Sequence, residues 1–510
     1  MMPASRCAGL IRVKPVAVGP LLLPSADGLG GIGEMLEWTG WGLLGLVLLA
    51  SWLAALPSAA RAIMHTRTAQ GAAAWVLALL LMAPLTLPFY WVLGRTKFSG
   101  YVTRRRKVMA RAGDVLKLDD GMDRHRHTPA PPLDDIDVLA RRLGVHGFLG
   151  GNAVELLVDG EDTYAAILAA IAAARDFVLV QFYIVRDDGI GGRLREALAA
   201  RAGAGVKVHF LYDEVGSTLG RGFLDALREA GVHCHPFDPG RKGSRLQINF
   251  RNHRKVVVVD GTVAFVGGHN VGDDYLGLHP DVGPWRDTHL RIKGPAAAQA
   301  QIAFFRDWFW ACDAAPDVPF HVRPAEGGEA EVLVWPTGPA DPQPECLMMH
   351  LAAIGAARKR LWLATPYFVP PEAVLQALRL ALLRGVDVRI LVPGWNDNRV
   401  VGWASQVHLA DLAGCGAHVH RWPRGFMHQK VLLVDDCLTL VGTANLDNRS
   451  MFINFEVTAL CVHAPLVTAV ASMLEKDFEH APRVPQEEFR NAGYWHRLRC
   501  RAANLVSPML

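Results

Sequence analysis

The chain has 510 residues, 51% of them hydrophobic, and its formal net charge is only +4. That length excludes a single small domain, and the near balance of charge excludes a protein that binds polyelectrolytes through overall charge. The eight cysteines form no CxxC pair and are irregularly spaced, so unpaired thiols in a reducing compartment are expected, with neither a disulfide scaffold nor a thiolate metal site.

Residues 1–34 are rich in Pro, Gly and Ala without periodicity and read as an unstructured extension; translation is expected to start at or near Met35. Residues 38–57 carry no charge and have the roughly 20-residue length of a membrane span, with Trp38 and Trp41 at one end. After a short loop with Arg61, His65 and Arg67, residues 71–94 form a second uncharged segment ending near Phe89, Tyr90 and Trp91. A transmembrane helical hairpin is therefore expected over residues 35–100. Arg95, Lys97, Arg104, Arg105, Arg106, Lys107 and Arg111 follow it, against only Arg61 and Arg67 between the spans. This bias predicts a multi-pass protein of the bacterial cytoplasmic (inner) membrane, with its large C-terminal part on the cytoplasmic side. The same basic cluster suits anionic membrane lipids. Residues 101–150 read as this basic juxtamembrane segment and a linker rich in Pro and Asp.

A repeat follows. An Ala-rich helix ending at Arg175 precedes the strand Phe177-Val-Leu-Val180, and another ending at Arg358 precedes Leu361-Trp-Leu363. Each is followed by a helical stretch and a second strand starting after Gly205 or Gly385. His233 and His235 flank Cys234, and His418 and His420 recur at the matching place, so these histidines belong to the scaffold rather than to a metal site. The fold class expected is α/β: two pseudo-twofold-related halves with mixed sheets, over residues 151–330 and 331–485. The Pro-rich stretch 331–344 reads as the seam. Residues 486–510 form a C-terminal tail in which Trp495, Leu498, Ala502 and Leu505 recur at helical spacing; this stripe is expected to dock on the core, with the membrane as the alternative.

Each half ends in a matching hairpin. His253-x-Lys255-x4-Asp260, a valine run, Gly267-Gly268 and Asn270 are reproduced in register by His428-x-Lys430-x4-Asp435, Gly442-Thr443 and Asn445. The two-residue spacing places each His and Lys on one face of a strand, and Asp260 and Asp435 read as closing the turns. Two facing histidines with lysines and asparagines suit phosphoryl chemistry. One imidazole attacks phosphorus while the other, protonated, serves the leaving and entering alcohols. The lysines and asparagines stabilise the phosphate charge. No cofactor is implied: the lysines supply the charge that a metal otherwise supplies, and nothing in the chain suggests a nucleotide.

These two signatures resemble the phospholipase D superfamily. Asn252-His253, Gly268-His-Asn270, Trp285-Arg-Asp287, Thr365-Pro-Tyr-Phe-Val-Pro-Pro371 and Asn445-Leu-Asp-Asn-Arg449-Ser450, behind a membrane hairpin, are similar to the bacterial cardiolipin synthases, over residues from about 35 to 510. The resemblance implies a phosphatidyltransferase acting on phosphatidylglycerol. His253 would be the nucleophile and His428 the general acid/base, within a catalytic set of His253, Lys255, Asp260, His428, Lys430 and Asp435. Asn270, Asn445 and Thr443 would bind substrate, and Asp287 and Glu456 would orient the histidines. Gly267-Gly268 departs from the superfamily's commoner Gly-Ser, which removes one hydroxyl that Thr443 retains in the second copy. A lipid hydrolase of phospholipase D type, or a transferase using another lipid donor or alcohol acceptor, remains the alternative; the membrane hairpin argues against a nuclease.

Overall fold

The computed structural model of the chain describes residues 27–94, 121–238 and 249–509. The basic cluster from Arg95 to Arg111 lies outside them, as do the extension up to residue 26 and the proposed start's upstream flank. Two compact units divide the chain, Met1–Tyr90 and Trp91–Leu510.

In the first unit, helix α1 (Asp27–His65) contains the 25-residue apolar stretch Trp41–His65, long enough to cross a membrane. The second apolar segment is not one helix. It is divided at Met82 into α2 (Ala69–Leu81) and α3 (Ala83–Leu93). Pro84 has no N–H to continue the α2 ladder, but it is accommodated in the first turn of a new helix. At 1.5 Å per residue α2 and α3 are each about 20 Å long or less, short of a hydrocarbon core of about 30 Å. So among the described residues one helix is long and apolar enough to cross a membrane where two were expected, and the second arm of the hairpin is a broken one. Uniform apolarity conceals such a break. The arms pack through Ala55, Ala59 and Ala62 of α1 against Leu79, Ala83, Leu87 and Tyr90, small residues that permit close approach.

The second unit is built on one 14-stranded sheet. The first half supplies β1 (Leu149–Val158), β2 (Phe177–Phe182), β3 (Lys207–Asp213), β4 (His233–Phe237), β5 (Val256–Val259), β6 (Val263–Gly267), the short β7 (Trp285–Arg286) and β8 (Thr288–Lys293). The second supplies β9 (Ala330–Thr337), β10 (Arg360–Ala364), the short β11 (Phe368–Val369), β12 (Asp387–Pro393), β13 (His418–Trp422), the short β14 (Phe426–Met427), β15 (Val431–Val434), β16 (Leu438–Gly442), the short β17 (Leu446–Asp447) and β18 (Glu456–Val462). The order is β13-β12-β10-β15-β16-β18-β9-β1-β8-β6-β5-β2-β3-β4, the same from either edge once the halves are exchanged. Strands β2, β3 and β4 run parallel, as do β10, β12 and β13, and the remaining pairs of this sheet are antiparallel; the four short strands lie outside it in two parallel pairs, β7–β14 and β11–β17.

The stretch read as a seam is thus largely strand β9, buried between β1 and β18, with Pro336 in register opposite Val457. Its prolines masked an apolar run, Val332-Leu-Val-Trp335. Asn152 patches the irregular β1–β9 join, donating to the carbonyls of Leu149 and Ala330 and accepting from Ala296 N–H. Upstream, the stretch read as linker carries a helix at Asp134–Arg142. Leu133, Ile136 and Ala140 recur at helical spacing and bury in the core of the second half, while aspartates in the first turn and arginines in the last complement the helix dipole.

The valine run of β5 is buried on both faces. Val256 and Val258 join a core shared with the helices Ala296–Cys312 and Ala464–His480, whereas Val257 and Val259 join the core of the opposite face. Each such side chain contributes about 1.5–3 kcal/mol of burial. The hairpins are therefore rigid rods, and only their ends are free for chemistry.

Candidate active site

At the turn end of each hairpin the aspartate does structural work. Asp260 accepts the backbone N–H groups of Arg175, Asp176 and Phe177, and Asp435 those of Arg358, Lys359 and Arg360. Both sit at φ +49°, a left-handed conformation that aspartate tolerates. They tie the turn to the start of the neighbouring strand and do not line the cavity that holds the histidines. Their place in the catalytic set is corrected to that of fold clamps.

At the other end, β5 begins at Val256 and β15 at Val431, so His253, Lys255, His428 and Lys430 precede the strands instead of lying in them. These lead-in segments bond to the opposite half. His253 N–H donates to Phe455 O at 2.9 Å, and His428 N–H donates to Arg286 O at 2.7 Å. The side chains cross over as well. His253 Nδ1 lies 2.9 Å from Glu456 Oε2, and His428 Nδ1 lies 2.7 Å from Asp287 Oδ2. With Nδ1 so engaged, Nε2 is left to face the cavity of about 520 Å³ that both rings line.

The two carboxylates are supported differently. Glu456 accepts from Thr443, Ser450 and Asn454 as well as His253, and is fully buried. The Thr443 hydroxyl is therefore committed to Glu456 and does not reach the cavity, so its expected role as a substrate ligand is corrected to positioning. The pseudo-equivalent of Thr443 is Gly268, and there a Cβ would overlap the Asp287 carboxylate. A shorter acid in one half is thus matched by a missing side chain, and a longer acid in the other by a hydroxyl. The Gly-Gly departure is explained by space for Asp287, whose Oδ1 accepts Thr288 N–H at 2.8 Å.

The lysines sit behind the histidines. Lys255 Nζ donates to His253 O and Lys430 Nζ to His428 O, and both side chains are buried. Asn270 and Asn445 line the cavity, with Asn270 Nδ2 donating to the Tyr275 hydroxyl and Asn445 Nδ2 to Asp447. Burial pushes His253 down to about 4, Glu456 opposing the shift and Lys255 and Lys430 adding to it. Burial, then Lys430 and Lys255, hold His428 well below the usual histidine range. Burial lowers Lys255 well below an ordinary lysine and brings Lys430 down to about 8. Burial would raise Glu456, but His253, Lys255 and the Thr443 bond outweigh it and keep the carboxyl low. Groups able to become cations outnumber these two carboxylates, so a bound anion stabilises every protonated form here.

The cavity also contains residues that the hairpin pattern did not identify. Tyr183 packs edge-on against His253 at 5.0 Å, and Trp285 lies 5.2 Å from His428. Tyr367 donates to Asp397 at 2.8 Å, and Arg449 grips Asn249 through two nitrogens. Trp285, Tyr367 and Arg449 stand in the motifs carrying the resemblance. Tyr183 and Asp397 have no local signature, since only the folded sheet brings them to the cavity.

A family described as "Cardiolipin synthase, PLD-like domain" matches residues 167–308 and 350–481, one stretch in each half. The chain is 43% identical over 479 residues to "Cardiolipin synthase A" of Pseudomonas putida (strain GB-1), covering 92% of this chain and 98% of that relative. It is also 43% identical over 489 residues to "Cardiolipin synthase A" of Pseudomonas aeruginosa (strain LESB58), covering 92% and 96%. The crystal structure of phosphatidylserine synthase of Haemophilus influenzae Rd KW20 shares the fold, with a TM-score of 0.58 at 16% identity over 74% of this chain and 100% of that one. With helix α1 these similarities mark a membrane protein. Two matched repeats, one in each half, and near-complete coverage by the relatives show that the chain belongs to the cardiolipin synthase family, phosphatidyltransferases of the phospholipase D superfamily.

Proposed function

We propose that the protein makes cardiolipin by transferring a phosphatidyl group from one phosphatidylglycerol to another. The supporting observation is the pair of imidazoles facing one cavity, each held at Nδ1 by a carboxylate of the opposite half. His253 Nε2 attacks phosphorus, and the bond from phosphorus to the glycerol oxygen breaks as His428 donates its proton to that oxygen. Glycerol leaves and a phosphatidyl-histidine remains. His428, now neutral, takes the proton from a hydroxyl of the second phosphatidylglycerol. That oxygen attacks phosphorus, the P–N bond breaks, and cardiolipin forms. Burial, then Lys430 and Lys255, depress His428; the phosphodiester charge opposes the two lysines and so lets His428 carry its proton in the complex. Asn270 and Asn445 bind the non-bridging oxygens, backed by the lysines. One phosphodiester replaces another, so no external energy source is needed. The catalytic unit works on the cytoplasmic side of the inner membrane, the orientation that the basic cluster after the hairpin favours.

Purified protein in micelles with phosphatidylglycerol as sole lipid should yield cardiolipin and free glycerol. Phosphatidic acid alone would replace this reading with hydrolysis, and no turnover would end it.

The pH profile of kcat/KM, which reports the free enzyme, should be bell-shaped and lie below the usual histidine range. Its acid limb falls near 4, where His253 takes up a proton and cannot attack; its alkaline limb falls where His428 gives up the proton it must donate, a loss that burial, Lys430 and Lys255 bring to low pH. Lys430→Gln removes one of those charges and should move the alkaline limb of the residual activity upward. An alkaline limb that does not move would remove His428 as the group it reports.

A further inference from the structure

The tail stripe expected to dock on the core does not do so. Helix Tyr494–Asn504 buries Cys500 and Ala503 and packs against helix Arg399–Gly414. The stripe of Trp495, Leu498, Ala502 and Leu505 lies on the opposite face, with Trp495 76% and Leu505 82% exposed. At 100° per residue Arg497 and Arg501 flank the stripe on one side and Arg499 on the other. A Trp-Leu face bordered by arginines has the chemistry of a helix lying in the interface of an anionic bilayer. Where the chain goes next supports the same occupant. It turns through Ser507–Met509, where Asn448 donates to Ser507 O and Arg449 to Met509 O, and Met509 lines the cavity of the two histidines. The uncovered apolar stripe and the mouth of the phosphate site are thus joined by four residues.

We propose that this helix is a second membrane contact, separate from the N-terminal anchor, which lays the cavity mouth against anionic lipid so that a headgroup enters from the bilayer. The proposal rests on the lipid-transfer reading for its purpose, but its placement is tested without turnover. A benzophenone amino acid is installed at position 495 of the full chain, in nanodiscs of phosphatidylglycerol and phosphatidylethanolamine. Irradiation should give protein–lipid adducts, reduced several-fold in nanodiscs of phosphatidylcholine alone. Adducts to a second copy of the chain, or none, overturn the proposal. A second measurement compares substrates. Trp495→Ser/Leu498→Ser/Leu505→Ser should keep turnover of monomeric dibutyroyl phosphatidylglycerol within about twofold of the parent while losing about tenfold or more on bilayer phosphatidylglycerol. Equal loss on both substrates, or loss on neither, refutes the role. A parent chain that gives lipid adducts at position 495 but turns over no phosphatidylglycerol would sink the transfer reading and leave the membrane contact standing.

Discussion

Replacing His253 or His428 with alanine should each reduce phosphatidyl transfer on the order of 10³-fold or more, but for different reasons that one substrate separates. Against a short-chain phosphatidyl ester of p-nitrophenol, the leaving group needs no proton. His428→Ala should then release a burst of about one nitrophenol per site and stop as phosphoenzyme, because no base remains to activate the acceptor. His253→Ala should show no burst. The reverse pattern would exchange the roles of the two histidines, and bursts from neither variant would refute a covalent route. The pseudo-twofold symmetry of the site makes this the decisive experiment: the two rings are held alike and differ in their surroundings, Glu456 with Thr443 on one side and Asp287 with Gly268 on the other.

Asp307→Ala should destabilise the two-half unit by about 3–5 kcal/mol, the usual cost of stranding a buried charge. Arg254, adjacent to His253, is buried and places Nη1 2.8 Å from both Asp307 oxygens. Its Nε donates to Glu456 O and its Nη2 to Thr337 O, both in the second half. Asp307 also accepts from Gln181 and Asn252. Removing the acid therefore takes the carboxylate from the Arg254 guanidinium and a bond from each of the Gln181 and Asn252 amides where the halves meet, Gln181 keeping its bond to Asn252 Oδ1. Thermal unfolding in detergent measures this, with Asp307→Asn, which retains hydrogen-bonding capacity, expected to fall between alanine and the parent. An alanine variant that melts with the parent would show that the network carries no net stability.

Much of this site was legible because the chain states it twice. Two hairpins in the same register single out His253, Lys255 and Asn270 by agreement with His428, Lys430 and Asn445 before any contact is known. Asp287 and Glu456 have no such repeat, being different residues at different distances from their asparagines; the family resemblance carried them. Thr443 was misplaced because residue type discloses a hydroxyl but not its direction, which is set by a carboxylate 13 positions later. Strand β9 was hidden by Pro336 near its end and the prolines that follow it. The break at Met82 is invisible to hydropathy, since a broken apolar segment is as apolar as an intact one; its one sequence signal is Pro84. In the tail the periodicity was read correctly but the partner was not, because the buried face is made by Cys500 and Ala503, which a hydrophobic stripe does not advertise.

The crossing of Glu456 to His253 and Asp287 to His428 bears on how such proteins can be recombined. A half carries its own histidine but its neighbour's orienting acid. A chimera that takes one half from a relative therefore tests compatibility across the boundary, at Phe455, Glu456, Arg286 and Asp287, and scarcely within either parental half. The heritable unit is the reciprocal pair, and drift in one copy is answerable to the ring in the other.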